Sequence, residues 1–179
     1  ALNNIPVVVS GKNFLPSSIT LPLTLNSNQF HVMNLQASLS EPRKKRAWQQ
    51  IVKSKIHNQN EVLQRAGISS SRLKQLVGRV RSGDPDNIEA QAARYYWQSL
   101  FGSDFRRNRD QEGLNSALNY AYTILRACVA RGLCAAGLHP AFSLHHKNSR
   151  NALNLADDLI EPLRPIADNA IQINRDFFA

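Results

Sequence analysis

The chain has 179 residues, of which 42% are hydrophobic and 20% are charged. This composition is typical of a globular protein with one domain, or one domain and part of another, and it excludes a disordered tail. No apolar run approaches the roughly 18 residues that cross a bilayer, and no secretory signal is visible, so we expect a cytoplasmic protein. Cys128 and Cys134 are expected to be reduced, inert residues of the core.

The positive charge is concentrated in one segment of the chain. Lys and Arg number 22 against 13 Asp and Glu, and residues 41–81 alone carry eleven basic and two acidic residues. A surface of this sign attracts polyanions, and nucleic acid is the commonest polyanion available to a cytosolic protein. The alternative is a solvated helix surface that only increases solubility.

Two short β segments are predicted at the start of the chain. Residues 5–9 (IPVVV) are typical of a short buried strand, and Pro22 restricts residues 18–25 to a sheet edge or an extended loop. One or two strands do not form a stable sheet on their own. Either they pack against helices, or the chain begins partway through a β domain, and the lack of an initiator Met favours the second possibility.

Helical periodicity dominates the rest of the sequence and predicts a mainly α fold. Pro42 lies in the first turn of the longest predicted helix, Gly67 ends that helix, and the serines at 69–71 offer caps for the next one. The six predicted helices cover about residues 27–37, 42–66, 71–80, 84–100 and 115–136, and an acidic segment for which Asn148 or Ser149 is the predicted cap.

Acidic and histidine side chains in the last part of the chain form a candidate catalytic or metal site. Glu161 lies three residues after Asp158 and four after Asp157, so either pair projects from one helix face. A divalent cation between two carboxylates relieves their repulsion, and simple solvation is the alternative. His145 and His146 precede this helix in an extended segment, where only one ring can face inwards as a ligand or proton donor.

Glu89 is a further candidate, on different grounds. It lies early in the helix predicted over residues 84–100, among small and aromatic neighbours. A lone acid in a first helical turn more often compensates the helix dipole than binds a metal. Spacing alone does not identify Glu89 as a ligand.

Several blocks of sequence resemble one known family. Residues 113–165, which include GLHPAFSLHH and LADDLIEPLRP, closely resemble the CRISPR-associated spacer-acquisition integrases, the catalytic subunits of the adaptation complex, and type II members most of all. NNIPVVV, LPSSITLPLTL, AWQQIVKSKIHNQNEVL and DPDNIEAQAARYYWQSLFG match the same family in collinear order. The resemblance therefore covers nearly the entire chain.

The resemblance implies a helical catalytic domain preceded by a β domain. Residues 1–26 are then the end of the β domain and a linker, and residues 27–179 are an α-helical, metal-dependent catalytic domain, with both ends of the family pattern shortened. The motifs carry the family's catalytic positions to Glu89, His146, Asp158 and Glu161, with Glu89, His146 and Glu161 as the metal ligands. Asp157 becomes a flanking acid.

The implied activity is that of a DNA endonuclease and integrase of CRISPR adaptive immunity, an antiviral defence of prokaryotes. Mg²⁺ or Mn²⁺ at the acids and the imidazole assists attack of a spacer 3′-hydroxyl on a phosphodiester of the repeat DNA. The implied partners are double-stranded and branched DNA, a second copy of the chain and the small partner subunit of the adaptation complex. The residues expected to hold the DNA backbone are Arg43, Lys44, Lys45, Arg46, Lys53, Lys55, Arg72, Lys74, Arg79 and Arg81.

Two other functions remain open from the sequence. A non-catalytic, basic DNA-binding helical module would leave the acids as surface residues. A structural scaffold would present its basic face to an acidic protein. Metal-dependent cleavage, salt-sensitive DNA binding without cleavage, and binding to protein alone distinguish the three.

Overall fold

A small antiparallel sheet precedes a bundle of helices. The computed structural model describes residues 6–12, 16–20 and 28–178, and all elements below lie within those ranges. The elements are β1 (Val7–Ser10), β2 (Pro16–Thr20), α1 (Gln29–Ala37), α2 (Glu41–Arg65), α3 (Ser71–Arg79), α4 (Ile88–Phe101), α5 (Leu114–Ala135), α6 (Asn154–Ile160) and α7 (Arg164–Ile173), with 3₁₀ turns at Glu161–Leu163 and Arg175–Phe177. The predicted mainly α fold, with a remnant of β structure before it, is confirmed.

The two strands pair with each other and lie against α5. Val8 is opposite Ile19, and the register is irregular after Val9. Val7 and Val9 are exposed, whereas Val8 between them is half-buried, because successive side chains of a strand point to opposite faces. The first strand is therefore confirmed, but its prediction as a buried strand is wrong. Pro22 and the predicted domain boundary at residues 26–27 fall outside the described residues or at their edge.

Helix α2 is the central element of the bundle and packs against α3, α4, α7 and the 3₁₀ turn at Glu161–Leu163. Its buried face includes Trp48, Val52 and Ile56. The helix ends as predicted, because Gly67 takes a φ of 70° and the amide of Ile68 reaches back to the carbonyl of Leu63 at 2.8 Å. This helix brings the side chain of Lys55 into the interior of the site described below.

Helix α4 begins four residues later than predicted, at Ile88. Asp84 takes a positive φ of 50° instead of opening the helix. Its carboxylate accepts hydrogen bonds from the backbone amides of Ile88 and Glu89, both at 2.9 Å. The side chain of Asp84 thereby caps the first turn from outside the helix, and this fixes the backbone that carries Glu89.

The acidic segment differs most from its prediction. Helix α6 begins at Asn154, because Asn148 and Asn151 form local turns in which their side chains accept the amides of Arg150 and Leu153, both at 3.0 Å. Asn148 and Ser149 therefore do not cap it. The helix gives way to a 3₁₀ turn at Glu161–Leu163, and α7 follows without having been predicted.

Two apolar clusters hold the helices together. The larger one joins α2, α3, α4, α5 and α7, and the smaller one packs residues of α5 against those of α6. Cys134 is buried as predicted, but Cys128 is exposed on α5, so its assignment to the core is wrong. No helix among the described residues is both long and apolar enough to cross a membrane.

Candidate active site

Two carboxylates from distant parts of the chain meet at one ammonium group. Glu89 comes from the first turn of α4, and Glu161 follows the last residue of α6. Lys55 of α2 donates a hydrogen bond to Glu89 Oε1 and another to Glu161 Oε2, the latter at 2.5 Å. Two of the three predicted metal ligands thus share one cationic partner in the interior.

The charges in this cluster are balanced. Burial disfavours the charge on Lys55, but the carboxylates of Glu161 and Glu89 outweigh it and raise the pKa of Lys55. Burial likewise disfavours the charge on Glu161, but Lys55 and Arg164 outweigh it and lower the pKa of Glu161. Arg164 Nε lies 3.0 Å from the other oxygen of Glu161, as an ion pair without hydrogen-bond alignment.

The segment that contains His146 is wrapped around a buried carboxylate. Asp158 of α6 is fully buried and accepts the backbone amides of Leu144, His145 and His146 at 2.6, 3.0 and 3.1 Å. Its Oδ1 also lies 2.6 Å from His146 Nδ1, and this hydrogen bond is the largest cause of the raised pKa of His146. With Nδ1 engaged, Nε2 is the ring nitrogen left for a ligand or substrate.

Trp48 contacts the two adjacent histidines in different ways. The indole of Trp48, which is buried, stacks on the ring of His145 with centroids 4.2 Å apart and planes 2° from parallel. The same indole meets His146 edge-on at 5.6 Å. His145 is therefore held against an aromatic ring, whereas His146 is held by Asp158 and lines a cavity.

Asp157 points elsewhere, although it is adjacent to Asp158. Its carboxylate pairs with Arg126, with an Nε–Oδ1 distance of 2.5 Å, and accepts a hydrogen bond from Asn151 at 2.6 Å. The pairing of Asp157 with Glu161, which the sequence left open, is not formed.

A polar cavity of about 640 Å³ opens beside His146 and Glu161. A smaller cavity of about 210 Å³ lies on the side of Lys55 and Glu89. Four guanidinium groups line the larger cavity: Arg107, Arg109, Arg126 and Arg164. None of the four is among the predicted catalytic, metal-binding or DNA-binding residues. For Arg164, the available signal was its position three residues after Glu161, which places it next to that acid.

The predicted DNA-binding residues are placed on the surface with one exception. Lys44 and Lys53 are partly exposed, and the exposed members are Arg43, Lys45, Arg46, Arg72, Lys74, Arg79 and Arg81. The assignment of Lys55 to this set is corrected by the structure, because its ammonium is buried between Glu89 and Glu161 and is not presented to solvent.

The donor set is suited in part to a hard divalent cation. Carboxylate oxygens that converge on one positive charge are the ligands that Mg²⁺ and Mn²⁺ prefer. Among the residues that the structure describes, no three His, Cys, Asp or Glu side chains are grouped closely enough to hold a metal ion. Glu89 and Glu161 already converge on the Lys55 ammonium, and His146 and Glu161 both line the larger cavity.

Asp168 makes a pH dependence of stability predictable. It is buried, Tyr122 donates a hydrogen bond to it, and burial raises its pKa from 3.8 to about 7. The folded protein therefore keeps a proton that the unfolded chain releases, so the stability contributed by this group falls as pH rises from about 4 to 7.

Replacing Asp168 by Asn removes this proton. We expect the unfolding free energy of Asp168→Asn, relative to the wild type, to rise by about 3–4 kcal/mol between pH 4 and pH 8 in urea titrations. Asp110→Asn, in the exposed loop before α5, is the control and is expected to follow the wild type. Parallel pH curves for Asp168→Asn and the wild type would contradict the raised pKa.

The chain is similar in sequence to one family over almost all of its length. The family described as CRISPR associated protein Cas1 matches residues 1–175. A curated relative from Neisseria meningitidis, named CRISPR-associated endonuclease Cas1, is 49% identical over 159 residues, which are 88% of this chain and 52% of the relative. A relative from Saccharolobus solfataricus with the name CRISPR-associated endonuclease Cas1 2 is 29% identical over 86% of this chain and 49% of its own length. The chain thus spans about half the length of these relatives.

Solved structures share its fold. A partial Cas6-RT-Cas1–Cas2 complex matches with a TM-score of 0.76 at 23% identity, over 98% of this chain and 59% of that one. A casposase bound to an integration product matches with a TM-score of 0.73 at 20% identity, over 98% and 55%. A CAS1 protein from Thermotoga maritima matches with a TM-score of 0.76 at 18% identity, over 95% and 60%. On the sequence matches, the chain belongs to the CRISPR-associated Cas1 family.

Proposed function

We propose that the chain carries the chemistry of a divalent-metal-dependent DNA endonuclease and integrase of CRISPR adaptation. The observation that carries this proposal is the convergence of the Glu89 and Glu161 carboxylates on the Lys55 ammonium, next to the cavity that His146 lines. Relatives named as Cas1 endonucleases support the nuclease activity. The proposed cofactor is Mg²⁺ or Mn²⁺, held by Glu89, Glu161 and His146 Nε2.

A bound divalent cation would neutralise charge on the phosphodiester and lower the pKa of the attacking hydroxyl. The chain's own residues prepare the site for it. Asp158 holds His146 through Nδ1, which leaves Nε2 as the available nitrogen of a ring that lines the cavity. Arg164 pairs with Glu161 Oε1, whereas Lys55 contacts Oε2. The ion pair with Arg164 would therefore keep the carboxylate oriented if a metal ion took the place of Lys55 at Oε2.

The positive charge of the larger cavity supports a role in binding the phosphate backbone of a nucleic-acid strand. Its four arginines provide planar donors that suit phosphate oxygens. The guanidinium of Arg107 is fixed in orientation, because it donates hydrogen bonds to the side-chain oxygens of Asn115 and Asn119 at 2.8 and 2.6 Å. A phosphodiester in this cavity would lie between the arginines and the proposed metal ligands.

The proposed reaction exchanges one ester bond for another. The 3′-oxygen of a spacer strand bonds to phosphorus and loses its proton, while the bond from phosphorus to a 3′-oxygen of the repeat strand breaks and that oxygen takes up a proton. When water replaces the 3′-hydroxyl, the same displacement is hydrolysis. Solved Cas6-RT-Cas1–Cas2 complexes that share this fold support Cas2 as a partner, and we propose a homodimer by the family resemblance.

The proposal is tested by incubating the purified chain with branched DNA and Mn²⁺. Cleavage that EDTA abolishes is the expected result. Binding of the same DNA without any cleavage would contradict the enzymatic function and favour the non-catalytic DNA-binding module.

The exposed basic residues predict a salt dependence of DNA binding. The slope of log K against log salt is negative. Neutralising Lys74 and Arg79 on α3, each by Gln, is expected to reduce the magnitude of this slope by about 0.9 per lost phosphate contact. Fluorescence anisotropy with double-stranded DNA from 50 to 200 mM salt measures this slope. Arg131→Gln and Arg175→Gln are matched exposed controls outside residues 41–81. An equal loss in the controls would place the DNA on another surface.

A further inference from the structure

We propose that Lys55 is a built-in counter-cation of the site, which a divalent metal replaces, and that Gln59 receives the displaced ammonium. This inference rests on the proposed metal site, and it assigns to Lys55 a role in metal binding instead of DNA binding. Lys55 is a positioning residue in this account, because it acts through the carboxylates.

The position of the Lys55 ammonium excludes a metal from the same point. It contacts Glu89 and Glu161 at once, and both Lys55 and Glu161 are only 7% exposed. A metal ion coordinated to these two carboxylates at about 2.1 Å from their oxygens would fall on the space that Nζ occupies. The ammonium and the metal are therefore mutually exclusive occupants.

A counter-cation is required when the metal is absent. Glu161 is buried and Glu89 is partly buried, so two carboxylates that face each other here repel, and the uncompensated charge of the buried one is costly. Arg164 contacts the outer oxygen of Glu161, but only Lys55 contacts both acids within the described part of the chain. Lys55 thus keeps Glu89 and Glu161 together before metal binding, and metal binding has to overcome its attraction.

The smaller cavity offers the displaced ammonium a second position. Gln59 lies one helical turn beyond Lys55 on the same face of α2, and both side chains line this cavity. Gln59 is 2% exposed, and its Oε1 accepts no hydrogen bond from any residue that the structure describes. A buried acceptor without a donor is costly, and an ammonium that turns towards it satisfies it.

The experiment compares Lys55→Met with the wild-type chain in two measurements. The first is a Mn²⁺ titration in which electron paramagnetic resonance detects the free Mn²⁺, and the second is thermal unfolding in EDTA and in Mn²⁺. We expect Lys55→Met to bind Mn²⁺ on the order of tenfold more tightly, because no ammonium competes. We also expect a lower Tm than the wild type in EDTA and a smaller deficit in Mn²⁺. Arg65→Met, at the exposed end of the same helix and outside the set of proposed DNA-binding residues, is the matched control and is expected to leave both measurements unchanged.

Gln59→Leu tests the second position in a chain that retains Lys55. It is expected to weaken Mn²⁺ binding several-fold when Lys55 is present and to have no effect in the Lys55→Met background. Equal effects in both backgrounds would overturn the role of Gln59. If Lys55→Met does not fold in EDTA, the double variant Lys55→Met/Glu89→Gln, which removes one of the two facing charges, is expected to fold; failure of both would overturn the counter-cation role.

The outcomes separate this inference from the proposed function. Equal, measurable Mn²⁺ affinities for the wild type and Lys55→Met would overturn the exchange and leave the metal-dependent function standing. Absence of Mn²⁺ binding to either chain would overturn both.

Discussion

Replacing Glu161 by Gln is expected to reduce Mn²⁺-dependent cleavage of branched DNA by on the order of a thousandfold. Glutamine keeps the shape of the side chain but removes the charge that the proposed cation shares with Glu89. It also removes the negative charge with which both Lys55 and Arg164 now form ion pairs. Initial cleavage rates at saturating DNA and fixed Mn²⁺ measure the effect.

The control for this substitution is Glu112→Gln, which makes the same chemical change in the exposed loop before α5. Its cleavage rate is expected to match that of the wild type. A Glu161→Gln variant that stays folded and cleaves at the wild-type rate would show that this carboxylate takes no part in the reaction.

The second large effect is expected on stability, from Asp158→Ala. Asp158 is fully buried and is the common acceptor for three backbone amides and the His146 ring. Its removal leaves four partly buried donors without an acceptor and frees the segment that carries His146. We expect a loss of about 3–5 kcal/mol in the free energy of unfolding, measured in urea.

Asp157→Ala is a matched comparison one residue earlier. It removes a partly exposed ion pair with Arg126, and a loss of about 1 kcal/mol is expected. Similar losses for the two variants would contradict the distinction between the buried acceptor and the flanking acid.

Local signals predicted most of the helices. The periodicity of α2 and α5 and the glycine that ends α2 are properties of short segments, and they are confirmed within one or two residues. The predicted start of α6 was wrong because the asparagine side chains at 148 and 151 compete with helical hydrogen bonds. The prediction that Val7 and Val9 are buried was wrong because an apolar run does not reveal whether another element covers it.

The site depends on contacts that no local pattern contains. Asp157 and Asp158 are the same residue type at adjacent positions, and only the tertiary structure assigns one to Arg126 and the other to the His146 segment. A usable signal existed for Lys55, because it follows Ile51 by four residues and precedes Gln59 by four, and so falls on the buried face of α2. Counted only as a positive charge, it was assigned to the DNA-binding surface.

The most direct test of the shared cation site is anomalous diffraction from crystals of the chain soaked in Mn²⁺. We expect one strong peak between the carboxylates of Glu89 and Glu161, about 2.1 Å from an oxygen of each, with His146 Nε2 turned towards it and the Lys55 ammonium moved away. Mn²⁺ bound only elsewhere, with the Lys55 ammonium still between the two carboxylates, would contradict the account.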